Sequence, residues 1–149
     1  MSSFVGSIAL VRDQPAESPR WLMRQDKSGD LAFIESQLLI GDSFREAIMR
    51  DVGWTLNLCP GKDFLVSSLS RLRLNSRIFL PSEDEEVHFV VEFFVVDLFK
   101  KAAREAVMND PVNVWISGAE AHQGVTESGI QIRERHALLI AESEVISAW

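Results

Sequence analysis

The chain has 149 residues, of which 46% are hydrophobic and 25% are charged, a composition that predicts one folded domain over residues 1–149. Its formal net charge of -7 argues against a dedicated nucleic-acid-binding protein, whose surface would carry a basic patch, so we expect no nucleic-acid partner. Cys59 is the single cysteine, which excludes an intrachain disulfide and fits a reducing cytoplasm.

Neither the first residues nor the most apolar segment indicates a membrane protein. Residues 1–10 have no basic residue ahead of their apolar part, so no signal peptide is visible. Residues 87–99 form the most apolar run, but His88, Glu92 and Asp97 interrupt it, and it is too short to span a bilayer. We therefore expect a cytoplasmic protein with no membrane partner.

The first 39 residues predict a β-hairpin and then an extended or loop-like segment. Residues 4–12 are rich in Val, Ile and Leu, which favours a strand, and a turn containing Pro, Asp and Ser follows. Residues 20–24 predict the second strand, which a turn over residues 27–30 ends. Residues 31–39 are expected to be extended or loop-like.

An amphipathic helix is predicted next. Asp42 or Ser43 can cap its first turn, and Ser43 followed by Glu46 is a capping-box pattern. Asn57 tolerates the left-handed conformation that often ends a helix. The face turned to the core has four apolar residues at helical spacing, Phe44, Ala47, Ile48 and Val52.

The second half of the chain predicts more strands and two helices. Residues 64–80 hold one or two strands, with a turn at Asn75-Ser76, and residues 82–86 form an acidic loop. The remaining predicted elements are a central strand over 87–98, a short helix over 100–108, a strand over 112–116 and a final helix over 132–146. This order predicts an α+β sandwich with a mixed sheet between helices.

Three short segments in and around the first helix match parts of a known pattern. They are Gly41-Asp42-Ser43-Phe44, Arg50-Asp51-Val52 and Asn57-Leu58. The Nudix signature has a glycine and, six residues later, a glutamate. Eight residues after that glutamate come Arg-Glu-aliphatic, any residue, Glu-Glu, any residue, Gly and an aliphatic residue. Arg50-Asp51-Val52 stands at the Arg-Glu-aliphatic part, so the chain resembles the Nudix hydrolases. This implies a Nudix-like α/β/α sandwich.

The segments around the helix agree with the resemblance. Trp21-Leu22-Met23-Arg24 is similar to the family's Leu-Leu-x-Arg, so the resemblance implies that Arg24 is a ligand-binding residue. Residues 114–120 are similar to a later strand of the family that carries a tryptophan, and a helix closes both chains. Ser36 stands at the first glycine of the signature, and Asp42 at its first glutamate.

The metal-binding part of the signature is where the chain departs from the family. Family members hydrolyse nucleoside diphosphate linkages with Mg or Mn, and such cations need several oxygen ligands. Trp54 and Thr55 stand at the two adjacent glutamates, so Asp51 is the one charged ligand left on that turn. We expect Asp51 to bind metal weakly, and no cofactor. Arg50 is expected to orient the carboxylates or to pair with Asp42, Glu46 or Glu35.

Three functional hypotheses follow from a helix that matches part of the Nudix signature but lacks its paired glutamates. The leading one is a degenerate Nudix domain without metal-dependent pyrophosphohydrolase activity, which binds a nucleotide-like small molecule or a protein partner. The alternative is an active hydrolase of a nucleoside-diphosphate-linked substrate that uses Glu35, Asp42 and Asp51 as displaced carboxylates, with Mg or Mn. The third is a homodimer in which Trp54 and Trp149 contribute apolar contacts.

Further candidate residues lie outside the helix, and each has a structural alternative. Glu92 can face a ligand cleft and act as a base, or it can pair with an arginine. Arg71, Arg73 and Arg77 are expected to share one face of a strand, where they bind an anionic ligand or protect an exposed edge. The three histidines show no metal-ligand spacing, so we expect surface or partly buried structural roles for them.

Overall fold

Two long strands form the centre of the sheet. In the computed structural model, which describes residues 2–148, β1 (Ser2–Arg12) and β7 (Glu85–Leu98) pair in parallel along their length. The other strands among these residues pair antiparallel to them or to each other: β2 (Trp21–Gln25), β3 (Leu31–Ala32), β4 (Glu35–Gln37), β5 (Phe64–Val66), β6 (Leu72–Leu80) and β8 (Asn113–Ile116). The sheet is therefore mixed, as the sequence predicted.

The neighbours of the two central strands change along their length. Residues 6–8 in the middle of β1 pair with β4, whereas Arg12 at its end pairs with Trp21 of β2. Likewise, the first part of β7 pairs with β6 and its last part pairs with β5. The Arg12–Trp21 pairing joins β1 and β2 in the hairpin that the sequence predicted.

Four helices cover the two faces of the sheet within residues 2–148, namely α1 (Phe44–Leu56), α2 (Lys101–Asn109), α3 (Gly118–Gln123) and α4 (Glu134–Ser143). Side chains alternate along β1, because successive residues of a strand point to opposite faces. Ala9 and Val11 pack with Ile48 and Val52 of α1, whereas Ile8 and Leu10 belong to a second cluster with Leu139 and Ile140 of α4. The result is the predicted sandwich of helices, mixed sheet and helices.

Helix α1 begins and ends as its residues predict. Ser43 is its N-cap and accepts a hydrogen bond from Glu46 N at 3.0 Å. Asn57 ends the helix in the left-handed conformation, with φ 54°. Ala47, Ile48 and Val52 are buried, so the predicted apolar face is confirmed. None of the helices in residues 2–148 is long and apolar enough to cross a membrane.

Several boundaries differ from the prediction. The turn predicted at Asn75-Ser76 is wrong, because β6 continues through both residues and pairs with Val90 and Phe89 of β7. The acidic loop is shorter than predicted, since Glu85 already begins β7.

The C-terminal third differs too. Helix α3 was not predicted, although Ser117 and Glu120 form a complete capping box before it. Helix α4 covers Glu134–Ser143, less than the predicted 132–146, and the buried Ile132, Val145 and Ile146 lie outside it.

One close backbone approach holds β4 against β1. A Cβ atom added at Gly6 would lie 2.1 Å from the backbone oxygen of Ser36, far inside any normal contact. Glycine is thus required at this position, because any side chain would collide with the β4 backbone next to Glu35.

We predict that Gly6→Ala lowers the free energy of unfolding by about 2 kcal/mol or more, because β1 and β4 must move apart. Urea denaturation measures the change. Ser3→Ala, on an exposed position of the same strand, is the control and should stay within about 0.5 kcal/mol of wild type. Equal stability of the two variants would contradict the close approach.

Candidate functional site

A tight turn leads into α1 and presents Asp42. Gly41 adopts φ +91°, a conformation that favours glycine, and Asp42 N donates a hydrogen bond to Leu39 O at 3.1 Å. Ser43 then caps the helix. Leu39 and Ile40 in this turn are exposed, and Ile40 is fully exposed, at 107% relative exposure.

Arg50 lies between the two carboxylates that the sequence placed in the site. Its Nη1 donates to Asp42 Oδ2 at 2.8 Å, and its Nε lies 3.8 Å from Asp51 Oδ1. The hydrogen bond to Asp42, with the charges of both aspartates, raises the pKa of Arg50. Both carboxylates therefore face a permanently charged guanidinium, which competes directly with any cation for their oxygens.

The two residues that stand at the adjacent signature glutamates are exposed to solvent. Trp54 is 87% exposed, and Thr55 is exposed beside it. An indole ring has no lone pair for Mg or Mn, and a threonine hydroxyl is a neutral ligand. Across residues 2–148, no group of three or more His, Cys, Asp or Glu side chains is arranged to hold a metal ion. The donor set on α1 thus fits a hard divalent cation poorly.

Glu35 belongs to a different cluster, formed with α4. Its Oε1 lies 3.4 Å from Arg133 Nη1, and its Oε2 lies 3.5 Å from Nε2 of the fully buried His136. His136 Nδ1 accepts a hydrogen bond from Phe33 N at 3.0 Å, so in the neutral ring the proton is on Nε2, towards Glu35.

Opposing effects act on the Glu35 carboxyl. Its burial alone would raise its pKa, but the neighbouring His136, Arg135 and Arg133 stabilise the charged form and outweigh burial. The net result is a pKa below the ordinary value of 4.5. Glu35 is therefore an ionised, paired carboxylate whose contacts are with α4 rather than with Asp42 or Asp51.

Glu92 and Arg73 pair across β6 and β7. Arg73 Nη1 donates to Glu92 Oε2 at 3.1 Å, and the Arg73 guanidinium lies 5.2 Å from the centre of the Phe44 ring. Of the two alternatives for Glu92, the arginine pair is the one observed. Glu92 also lines an open depression of about 500 Å³ at the start of α1, together with Phe44, Leu69 and Phe94.

The other two predicted arginines lie elsewhere. Arg24 contacts Asn113 and lies 3.6 Å from Asp110, at the junction of β8 and α2. Arg71 lies just before β6 and stacks over Trp21, which belongs to the core on the α4 side. The prediction that Arg71, Arg73 and Arg77 share one face of a strand is wrong for Arg71, which lies in the bend before the strand begins at Leu72. Arg73 and Arg77 are both exposed on the same face of β6.

Sequence reasoning missed Arg133 and His136 as partners of Glu35. His136 is 101 residues from Glu35 and 103 from Phe33 in the sequence, so no local pattern links them. The helical spacing of Ile132, His136 and Leu139 does place His136 on the buried face of the final helix. The expectation of a surface or partly buried position for this histidine is wrong.

Comparison with known proteins bears on the fold. No protein-family model matches the chain, and no curated protein matches it. Among solved structures, it is similar to the Ap4A hydrolase of C. elegans, with 11% identity and a TM-score of 0.52 over 83% of this chain and 85% of that one. It is also similar to a MutT/nudix family protein from Listeria innocua, with 10% identity and a TM-score of 0.54 over 93% and 88%.

A third similar structure is Shewanella oneidensis NrtR in complex with a 27mer DNA. Identity is 10% and the TM-score 0.55, over 90% of this chain and 57% of NrtR. At such identities the likeness concerns the fold, and the chain has a Nudix-like fold. The resemblance in the first helix is thereby confirmed at the level of the fold. The absence of a nucleic-acid partner stays a prediction.

The Glu35 cluster predicts a specific pH dependence. Because the pKa of Glu35 is lowered by folding, its contribution to stability is present above its unfolded pKa and is lost as the pH falls through its folded pKa. Glu35→Gln should therefore lose less stability than wild type on acidification from about pH 7 to about pH 3. Urea unfolding across this range measures it.

The control for this series is Glu105→Gln, on an exposed carboxylate that lies 3.9 Å from Lys101 on the surface of α2. It should follow the wild-type pH profile. If Glu35→Gln loses as much stability as wild type on acidification, the Glu35 carboxylate is not held in its charged form by α4.

Proposed function

We propose that the chain is a degenerate Nudix-fold domain without metal-dependent pyrophosphohydrolase activity, which binds a nucleotide-like small molecule or a protein partner. The observation that supports this most strongly is the charge balance on α1. Arg50 contacts both Asp42 and Asp51 and offsets one of their two charges, while Trp54 and Thr55 replace the paired glutamates. A diphosphate bound there would meet two carboxylates and one guanidinium instead of a bridging metal.

The surface around this turn favours binding over hydrolysis. Trp54 is one helical turn after Arg50, and Leu39 and Ile40 lie in the turn that Asp42 ends. Exposed aromatic and aliphatic side chains around an arginine are typical of recognition surfaces.

The depression at the start of α1 supplies a second surface for a small molecule. Its lining combines the Phe44 and Phe94 side chains with the carboxylate of Glu92. Flat apolar walls with a few polar groups suit the base of a nucleotide. The volume, about 500 Å³, is within the usual range for ligand pockets.

The hydrolase alternative requires Glu35, Asp42 and Asp51 to act together. Glu35 is bound to Arg133 and His136, whereas the two aspartates contact Arg50. Each carboxylate would have to leave a cationic or hydrogen-bonding partner before it could coordinate a metal. For the homodimer, Trp54 is exposed and available, and Trp149 lies outside the described residues.

We predict that restoring the signature acids strengthens the binding of divalent metal ions. The triple variant Asp51→Glu, Trp54→Glu, Thr55→Glu should bind Mn²⁺ at least about tenfold more tightly than wild type, because three carboxylates then share one helical face. Isothermal titration with MgCl₂ and MnCl₂ measures the affinity. The matched control Trp54→Gln, Thr55→Gln has similar side chains without charge and should behave as wild type.

The same proteins are then assayed with ADP-ribose, diadenosine tetraphosphate and other nucleoside diphosphate derivatives. Wild type should show millimolar or weaker metal affinity and no turnover. Metal-dependent turnover by wild type that Asp51→Asn abolishes would overturn the proposal in favour of the hydrolase alternative.

A further inference from the structure

A small pocket lies at the C-terminal ends of the two central strands, next to α2 and β8. Its volume is about 220 Å³, and it is lined by Asp13, Gln14, Leu98, Arg104, Met108 and Trp115. None of these residues belongs to the Asp42–Arg50–Asp51 turn or to the Glu35 cluster. The pocket is smaller than the roughly 300–1,000 Å³ of typical drug-sized ligand sites, so only a small molecule fits.

Two opposite charges line this pocket, and local hydrogen bonds orient both. Arg104 Nε donates to Leu98 O at 3.2 Å, which leaves its two terminal amino groups for other acceptors. Asp13 Oδ1 accepts from Gln14 N at 2.8 Å and from Arg20 N at 3.0 Å, which leaves Oδ2 for another donor. Within residues 2–148 neither side chain takes part in an ion pair of 4.0 Å or less.

The rest of the lining is apolar, with one unsatisfied donor. Leu98 is 4% exposed, and Met108, at 62% exposure, stands at the rim. The Trp115 ring packs against the core on the α1 side, and its Nε1 is buried without a hydrogen-bond partner among the described residues. Buried indole N–H groups usually have an acceptor, which makes this one distinctive.

We infer that this pocket binds a free apolar α-amino acid. The carboxylate of the ligand pairs with the terminal amino groups of Arg104, and its ammonium group pairs with Asp13 Oδ2. The apolar side chain packs on Leu98, Met108 and Trp115. A zwitterion offers an anion to Arg104 and a cation to Asp13 within one small molecule.

Other small ligands suit the lining less well. A phosphate-bearing ligand would gain one guanidinium and face the Asp13 carboxylate at the same time, which is unfavourable. A plain carboxylic acid leaves Asp13 without a cation, and a plain amine leaves Arg104 without an anion. The inference does not rest on the proposed function, since it uses different residues at the opposite end of the central strands.

The indole N–H resonance of Trp115 provides the readout for a test. In ¹⁵N-labelled protein it is identified as the signal that Trp115→Phe removes, and its shift is followed as L-leucine is added. The comparison ligands are 4-methylpentanoate, which lacks the ammonium group, and 3-methylbutylamine, which lacks the carboxylate. L-leucine should bind at least about tenfold more tightly than either, because both charges contribute.

Variants assign each charge. Arg104→Met should weaken L-leucine binding about tenfold or more, and Asp13→Asn, which keeps the Oδ1 acceptor for the backbone, should weaken L-leucine but not 4-methylpentanoate. Lys101→Met is the matched control, since Lys101 is a 90% exposed cation on α2 outside the pocket, and it should leave the affinity unchanged.

Two outcomes would overturn the inference. One is no shift of the Trp115 indole signal with L-leucine, L-methionine or L-phenylalanine up to about 10 mM. The other is equal affinity for L-leucine and 4-methylpentanoate, which would make the pocket a site for carboxylic acids rather than amino acids. Because the readout is at Trp115, this result is unaffected if the proposed function fails.

Discussion

The ion pair between Arg50 and Asp42 joins the loop before α1 to the middle of that helix. It depends on the Gly41 turn and the Ser43 cap, which bring Asp42 back over the helix. The same guanidinium also faces Asp51, so one permanent positive charge serves both acidic residues that the turn retains. A protein that uses this turn to hold a divalent cation would need negative oxygens in excess of positive charge. In this chain the excess is one negative charge, because Arg50 offsets one of the two carboxylates, and Trp54 and Thr55 add no charge to it.

The architecture that positions this turn follows from the two central strands. β1 and β7 are long enough to have different neighbours along their length: β4 pairs with the middle of β1 and β2 with its end, while β6 pairs with the first part of β7 and β5 with its end. Helix α1 packs on one face and α4 on the other, so the Arg50 turn and the Glu35–His136 cluster are built on opposite layers of the same sheet. The amino-acid pocket at the far end uses a third set of elements, α2 and β8.

The local chemistry of the sequence was sufficient for α1, for the central strand and for the hairpin. Ser43, Asn57 and the apolar spacing of Ile48 and Val52 act within a few residues, so they can be recognised without knowledge of the fold. The turn expected at Asn75-Ser76 shows the limit of that reasoning, because pairing with β7 overrides the preference of Asn and Ser for turns. Helix α3 went unpredicted although its Ser117–Glu120 capping box is visible in the sequence.

The candidate site was predictable only in part, for the same reason. Asp42, Arg50 and Asp51 lie on one loop and helix, and of the three acidic partners expected for Arg50 the structure shows Asp42. Glu35 was grouped with them because it is close in sequence, but its contacts come from α4, about 100 residues later. Arg71 and Arg73 separate because the strand begins between them, a boundary that the alternating pattern does not mark.

The most direct test of the account is a crystal structure of the protein grown with Mn²⁺ and a nonhydrolysable nucleoside diphosphate, with anomalous data collected for manganese. The account predicts no anomalous peak within coordination distance of Asp51, and an Arg50 guanidinium still bound to Asp42. A fully occupied manganese ion on the α1 carboxylates, bridging to the diphosphate of the nucleotide, would contradict it.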